Sequence, residues 1–237
     1  MTINDFIALL AGIAAVIFVL APHEWGHAFV ATKCGDGTPA AYGRLTLNPI
    51  KHFDPVGFIC CALVGFGWAK PVPINPMNFK NYRRGLFLTA IAGVAVNYIV
   101  AFFAYLLYVL FRRFVFVPMS VASLFTEYLG FFLWQFLWCV FSYSLGVFVF
   151  NLLPLYPLDG FRVVESCTRQ VNPVRRFLRN YGQMILIILI VESFFCDILS
   201  NYVSWAGYCD ILGYVMTFAT QIIGYPIRAA WGWILTI

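Results

Sequence analysis

Long apolar segments without charge constrain this chain more than any other feature. Phe6 to Ala21 and Leu86 to Phe111 contain no charged side chain. About 20 apolar residues in a helix span the hydrocarbon core of a bilayer, which is roughly 30 Å thick. Only 11% of the residues are charged and 62% are hydrophobic, whereas soluble domains average about 25% charged residues. The chain is therefore predicted to be an all-α polytopic membrane protein.

About five membrane spans are predicted from the order of the apolar segments. They lie at about 6–30, 86–111, 128–153, 181–199 and 208–227. The first three are predicted to form a three-helix core within residues 1–165, and the last two a C-terminal pair within residues 166–237. Between the first two spans, at 40–76, short apolar pieces alternate with Gly, Pro and Asn. This pattern favours a membrane-dipping β-hairpin or a re-entrant segment.

The first apolar segment leads into His23-Glu24-Trp25-Gly26-His27, a match to the pattern H-E-x-x-H. Residues i and i+4 lie on one face of a helix, so both imidazoles can reach one Zn²⁺ ion. From the next position Glu24 can take a proton from water during attack on an amide. Ionisable groups beside a membrane helix indicate a functional site. The alternative is a solvated, polar helix end that carries the pattern by chance.

Asp159 is the predicted third metal ligand. A catalytic zinc site with two histidines needs at least one more protein ligand, and a carboxylate is a standard choice. Asp159 is the only acidic residue between Tyr128 and Val164, and it lies in a proline-rich turn after the third span. An Asp at this position also suits the N-cap of a following helix, and the two roles are compatible.

Gly93 and Asn97 lie four residues apart on one face of the second span. Close helix packing explains a glycine in a membrane helix, and an interhelical hydrogen bond explains an asparagine. Composition and spacing alone therefore assign them no chemistry. Glu192 and Asp197 in the fourth span also remain without an assigned role.

Basic residues predict the orientation of the chain. Seven Lys or Arg lie in 33–84 and five in 162–179, against two between the second and third spans. Positively charged connections stay in the cytoplasm. The N-terminus is therefore predicted outside, with the proposed ligands near the cytoplasmic ends of the first and third spans. Flanking charge of this kind explains the net charge of +5 without a nucleic-acid partner.

Four motifs, in chain order, resemble those of the site-2 protease family of intramembrane zinc metalloproteases. They are the histidine motif at 23–27, the stretches 43–55 and 67–76, the helix motif at 92–97 and the turn at 151–160. The resemblance covers about residues 20–165 and is to the compact bacterial type without a PDZ or CBS domain. Val94 and Phe161 stand where family members often have Pro and Gly.

The resemblance implies a ligand set and a base. Zn²⁺ would be bound by His23, His27 and Asp159, and Glu24 would be the general base. The reaction would be hydrolysis of a peptide bond within or near the transmembrane helix of a membrane-protein substrate, as in regulated intramembrane proteolysis. The protein would lie in the lipid bilayer of the bacterial cell membrane.

The resemblance also implies substrate contacts. Asn97 would hold the substrate or the oxyanion of the tetrahedral intermediate, and Asn75 and Gly93 would lie at the substrate. The stretch 43–76 would offer a sheet edge to an extended substrate strand, which replaces the hydrogen bonds of an unwound helix.

Two other function classes are compatible with a zinc motif on membrane helices. A transporter or sensor of zinc would need ligands along a path, and apart from His52 no further histidine is available. A catalytically inactive scaffold would retain the fold without the reaction. The sequence does not define the oligomeric state.

Overall fold

The computed structural model describes residues 2–57, 60, 67–116, 119, 123–203 and 206–235. The longer helices are α1 (Ile3–Lys33), α4 (Tyr82–Phe111), α5 (Leu124–Leu152), α7 (Pro173–Ser200) and α8 (Ile211–Trp231), and the shorter ones are α2 (Thr38–Ala41), α3 (Pro49–His52) and α6 (Asp159–Cys167). A π-helical turn, Arg112–Phe116, continues α4, and 3₁₀ turns lie at Pro76–Asn78, Ala206–Cys209 and Gly232–Leu235.

Side-chain caps define where the long helices begin. The first turn of a helix has N–H groups without intrahelical partners, and short polar side chains accept hydrogen bonds from them. The capping residues are Thr2 for α1, Asn81 for α4, Ser123 for α5, Asn172 for α7 and Asp210 for α8. The apolar segments therefore start at defined polar boundaries.

The prediction of an all-α membrane protein is confirmed. In the described part of the chain, four helices are long and apolar enough to cross a membrane, namely α1, α4 with its π-helical extension, α5 and α7. The fifth predicted span coincides with α8, but this helix is not one of the four. Gln221 and Arg228 reduce its apolar character. The count of five spans is therefore not confirmed.

The predicted β-hairpin at 40–76 is not found in the described part of that stretch. Residues 40–57, 60 and 67–76 contain short helical turns and irregular backbone but no strand, and 58–59 and 61–66 lie outside the described residues. Pro71, Pro73 and Pro76 lack the N–H that a strand ladder needs, which explains the irregular backbone after Gly67.

Helices α1, α4 and α5 pack against one another and form the core of the molecule. Ala15, Ala101 and Ala104 are buried at their contacts, and small residues let helix backbones approach closely in a membrane. Ile227 of α8 is fully buried in the same cluster. The C-terminal part of the chain is therefore packed onto the three-helix core.

The connection after α5 is tied to the rest of the fold by an ion pair. Buried Glu165 of α6 pairs with buried Arg175 of α7, and Arg179 lies 3.3 Å from the same carboxylate oxygen. Helix α6 also packs on α4. These contacts hold α6, which begins at Asp159, against α7 and the three-helix core.

Candidate metal centre and active site

The two histidines of the predicted motif lie inside a continuous helix. Helix α1 extends to Lys33, so the motif is not a polar helix end. His23 and His27 are each only 4% exposed, and their Nε2 atoms are 3.0 Å apart. The alternative of a solvated helix end is therefore wrong.

Asp159 joins the two histidines from the other side of the core. Its Oδ2 atom lies 3.0 Å from Nε2 of His27 and 3.4 Å from Nε2 of His23. Asp159 is the first residue of α6, and Leu158 occupies the cap position without a side-chain cap. The N-cap role considered for Asp159 is thus not observed.

Glycine is required directly after this aspartate. A Cβ atom at Gly160 would collide with the carbonyl oxygens of Leu152 and Leu153 at the end of α5. Only a residue without a side chain lets the turn between α5 and α6 close this tightly. This tight connection between α5 and α6 places the Asp159 carboxylate against the histidines.

The cluster of His23, His27 and Asp159 fits a zinc ion. Its three ligand atoms are 3.0 to 3.4 Å apart, and tetrahedral ligands at about 2.0 Å from zinc lie about 3.3 Å from one another. Two imidazoles and a carboxylate are also a donor set of catalytic zinc sites. Among the residues that the structure describes, no other group of three His, Cys, Asp or Glu side chains could hold a metal in this way.

Helix α4 contacts the opposite edges of both imidazoles. Nδ1 of His27 donates a hydrogen bond to the carbonyl oxygen of Thr89 at 2.7 Å, and Nδ1 of His23 lies 3.1 Å from the amide nitrogen of Asn97. A carbonyl oxygen only accepts, so Nδ1 of His27 carries a proton, and in the neutral ring Nε2 is then the nitrogen that can bind a metal. The Thr89 contact was not predicted, although Thr89, Gly93 and Asn97 recur every four residues on one helix face.

Gly93 provides space for the histidines. A Cβ atom there would lie 2.8 Å from Cε1 of His23 and still closer to the ring of His27. Gly93 is not among the residues that line the cavity described below. The geometry therefore explains this glycine without the substrate contact that the resemblance implies.

Glu24 is held by the irregular segment that follows Gly67. Its Oε2 atom accepts a hydrogen bond from the backbone N–H of Val72 at 2.9 Å. Glu24 also lines the cavity next to the metal cluster. The sequence did not predict the hydrogen bond from Val72 to Glu24, because a backbone N–H does not depend on which side chain the residue carries.

Asp36 fastens this segment to the end of α1. Its buried carboxylate accepts hydrogen bonds from the N–H of Asn75, the side-chain amide of Asn78, and the N–H and hydroxyl of Thr38. Burial acts to raise the pKa of Asp36, but these hydrogen bonds outweigh it and hold the pKa below its ordinary value. Asn75 is exposed, and its side chain caps the N–H of Met77, so it has a local structural role.

A cavity of about 900 Å³ opens beside the metal cluster. Its lining includes Ala8, Leu9 and Gly12 near the start of α1 and extends along the helix to His27. The facing wall comes from α5, the segment 67–74 and the turn that holds Asp159. The lining is mainly apolar along α1, and polar groups concentrate at the end that holds the cluster.

A protein-family model described as peptidase family M50 matches residues 11–192. The chain belongs to peptidase family M50. The match contains every residue of the metal cluster and Glu24. It confirms the resemblance to site-2 proteases, and it identifies this M50 protein as a zinc metallopeptidase with Zn²⁺ as cofactor.

Curated M50 relatives carry matching names. The protein named "Putative zinc metalloprotease YwhC" from Bacillus subtilis is 40% identical over 184 residues, which are 77% of this chain and 78% of the relative. "Putative zinc metalloprotease Rip2" from Mycolicibacterium smegmatis is 29% identical over 198 residues, 80% of this chain and 68% of the relative. No solved structure matches the chain.

Proposed function

We propose that this M50 peptidase hydrolyses a peptide bond within or near the transmembrane helix of a membrane-protein substrate, in regulated intramembrane proteolysis. The observation that carries the proposal is the long apolar cavity with the metal cluster at one end. Binding of a soluble peptide would not require an apolar groove of this length. An unwound membrane segment would bury its side chains there.

The dimensions of the cavity support this proposal. From Ala8 to His27 a helix rises about 28 Å, close to the roughly 30 Å hydrocarbon core of a bilayer. His27 precedes the end of α1 at Lys33 by about 9 Å. The proposed cleavage level is therefore inside the membrane, near one end of the spans.

The proposed roles follow the geometry. His23, His27 and Asp159 would hold Zn²⁺, which as a Lewis acid polarises a carbonyl and lowers the pKa of water. Glu24 would take the proton of the attacking water and pass it to the leaving amine. Val72 orients the Glu24 carboxylate through its N–H.

The proposed topology places the N-terminus outside the bacterial cell membrane and the active site toward the cytoplasm. The end of α1, the start of α4 and the end of α5 meet at the metal cluster, and the basic stretches 33–84 and 162–179 adjoin these ends. Positively charged connections favour the cytoplasmic side. Residues 1–165 would be the proteolytic core, and Leu186 and Met216 of the C-terminal pair would border the substrate path, since both line the cavity.

No observation favours the alternatives. A zinc transporter would need ligands in series, and the described residues contain one metal-binding group. A scaffold would not need a carboxylate at the cavity beside the ligands, yet Glu24 stands there.

Replacing Gly146 with leucine is expected to block cleavage and to leave zinc bound. Gly146 lines the cavity on α5, and nothing lies within 4 Å of the position that a Cβ would take. The new side chain would occupy the groove without displacing a ligand. Cleavage of a single-span substrate in proteoliposomes should fall at least about tenfold, a loss of at least about 1.4 kcal/mol in transition-state stabilisation, with an unchanged zinc content.

Gly37→Leu is the matched control, because Gly37 also faces open space but lies outside the cavity. It should cleave like the wild type. If Gly146→Leu cleaves the membrane substrate at the wild-type rate, the groove is not the substrate path. If the wild type cleaves soluble peptides and leaves membrane substrates intact, the proposed function is wrong.

A further inference from the structure

We infer that Asn97 is a positioning residue that accepts a hydrogen bond from Nδ1–H of His23 and thereby fixes the tautomer that can bind zinc. The inference rests on the proposed zinc ligands. It gives Asn97 a role on the metal side of the site, in place of a contact with substrate or oxyanion.

The orientation of His23 determines which nitrogen must carry the proton. Its Nε2 atom faces Nε2 of His27 at 3.0 Å and Oδ2 of Asp159 at 3.4 Å, whereas Nδ1 faces the amide nitrogen of Asn97 at 3.1 Å. A neutral imidazole has one protonated and one unprotonated nitrogen, and only the unprotonated nitrogen binds a metal. With Nε2 in the cluster, the proton of His23 belongs on Nδ1, which then needs an acceptor.

The amide of Asn97 can supply that acceptor. Its oxygen accepts and its nitrogen donates, and a half turn about the last side-chain bond exchanges the two ends. In the structure the amide nitrogen of Asn97 faces His23. With that orientation Nδ1 would have to accept, and the proton on Nε2 would block the metal position. The zinc-bound state therefore requires the Asn97 oxygen toward His23, in parallel with the Thr89 carbonyl that holds His27.

Asn97 is buried, at 0% exposed, and lies outside the cavity lining. Its amide oxygen, which faces away from His23, has no hydrogen-bond partner among the described residues, and the half turn would bring it to Nδ1 of His23. The amide is thus placed to act on His23 and not on a substrate in the groove. Groups that hold the outer nitrogen of a ligand histidine typically contribute 10- to 100-fold in metal affinity.

Two substitutions test whether Asn97 accepts or donates the hydrogen bond that it shares with His23. Asn97→Asp keeps an oxygen toward His23 and should bind zinc at least as tightly as the wild type. Asn97→Leu removes the acceptor at similar size and should bind zinc roughly 10- to 100-fold more weakly. Zinc affinity would be measured by competition with a chelator of known affinity in detergent, without reference to activity.

A spectroscopic measurement on the unchanged protein tests the same point. The chain has three histidines, so nitrogen-15 NMR of histidine-labelled protein can be assigned with His52→Gln and His27→Gln. In the zinc-free wild type, where no metal holds Nε2, His23 should already show a protonated Nδ1. A protonated Nε2 of His23 in the zinc-free protein would overturn the inference.

The activity assay distinguishes the remaining outcomes. If Asn97→Leu keeps wild-type zinc affinity but loses cleavage, Asn97 acts on the substrate and the inference is wrong. If Asn97→Asp weakens zinc as much as Asn97→Leu, the amide donates and the inference is also wrong. Failure of the proposed function would appear separately, as a zinc-loaded wild type that cleaves no membrane substrate.

Discussion

Replacing Glu24 with glutamine is expected to abolish cleavage and to leave zinc bound. Glutamine has the shape of glutamate, and its oxygen can still accept the N–H of Val72, which lies 2.9 Å from Glu24 Oε2. It cannot take a proton from water at neutral pH. Loss of a general base typically reduces the rate by about 10²- to 10⁴-fold. Initial rates on a single-span substrate, together with zinc content, provide the measurement.

Glu127→Gln serves as the matched control for this substitution. Glu127 is an exposed carboxylate in the first turn of α5, and it is not part of the cavity lining. The control should cleave at the wild-type rate. Should Glu24→Gln also cleave at that rate with a full complement of zinc, Glu24 is not the base.

Replacing Gly93 with alanine is expected to remove zinc and, with it, activity. The added methyl group would lie 2.8 Å from Cε1 of His23 and closer still to His27. Real Cβ atoms do not approach other atoms below about 3.0 Å, so the rings must turn away from Asp159. Misplaced ligands should weaken zinc binding by at least the 10- to 100-fold that is typical of losing an outer contact. Zinc retention during dialysis against a chelator measures this effect.

Gly146→Ala is the control for helix propensity and for the added methyl group. Gly146 lies in a membrane helix like Gly93, but the position of its Cβ is open. This variant should retain zinc as the wild type does. Normal zinc retention in Gly93→Ala would show that α4 can move away, and that the close approach of α4 to the histidines is not required.

The metal cluster could be predicted because its residues follow simple spatial rules. Two histidines four residues apart must share a helix face, and α1 bears this out. Asp159 was the only acidic residue available near the end of the third span, and the structure places it within 3.4 Å of both histidines. The apolar segments likewise predicted the helices, because a membrane requires internally satisfied backbone groups.

The contacts around the cluster could not be predicted in the same way. The carbonyl of Thr89 and the N–H of Val72 are backbone groups from distant parts of the chain. Such groups are present whatever the side chain is, so the sequence does not reveal them. The β-hairpin prediction relied on the alternation of apolar residues with turn residues. It overlooked that the repeated prolines after Lys70 remove ladder donors. Gly93 was assigned to the substrate from the family resemblance, because its spacing indicated a helix face but not which neighbour occupied that face.

The metal content of the purified protein tests the central claim most directly. The wild type should contain about one zinc per chain, as should His52→Ala, whose imidazole lies apart and contacts the Thr46 carbonyl. His23→Ala and Asp159→Ala should both lose the metal, because a catalytic zinc site needs about three protein ligands. Zinc retained in Asp159→Ala would contradict a site shared between α1 and the start of α6.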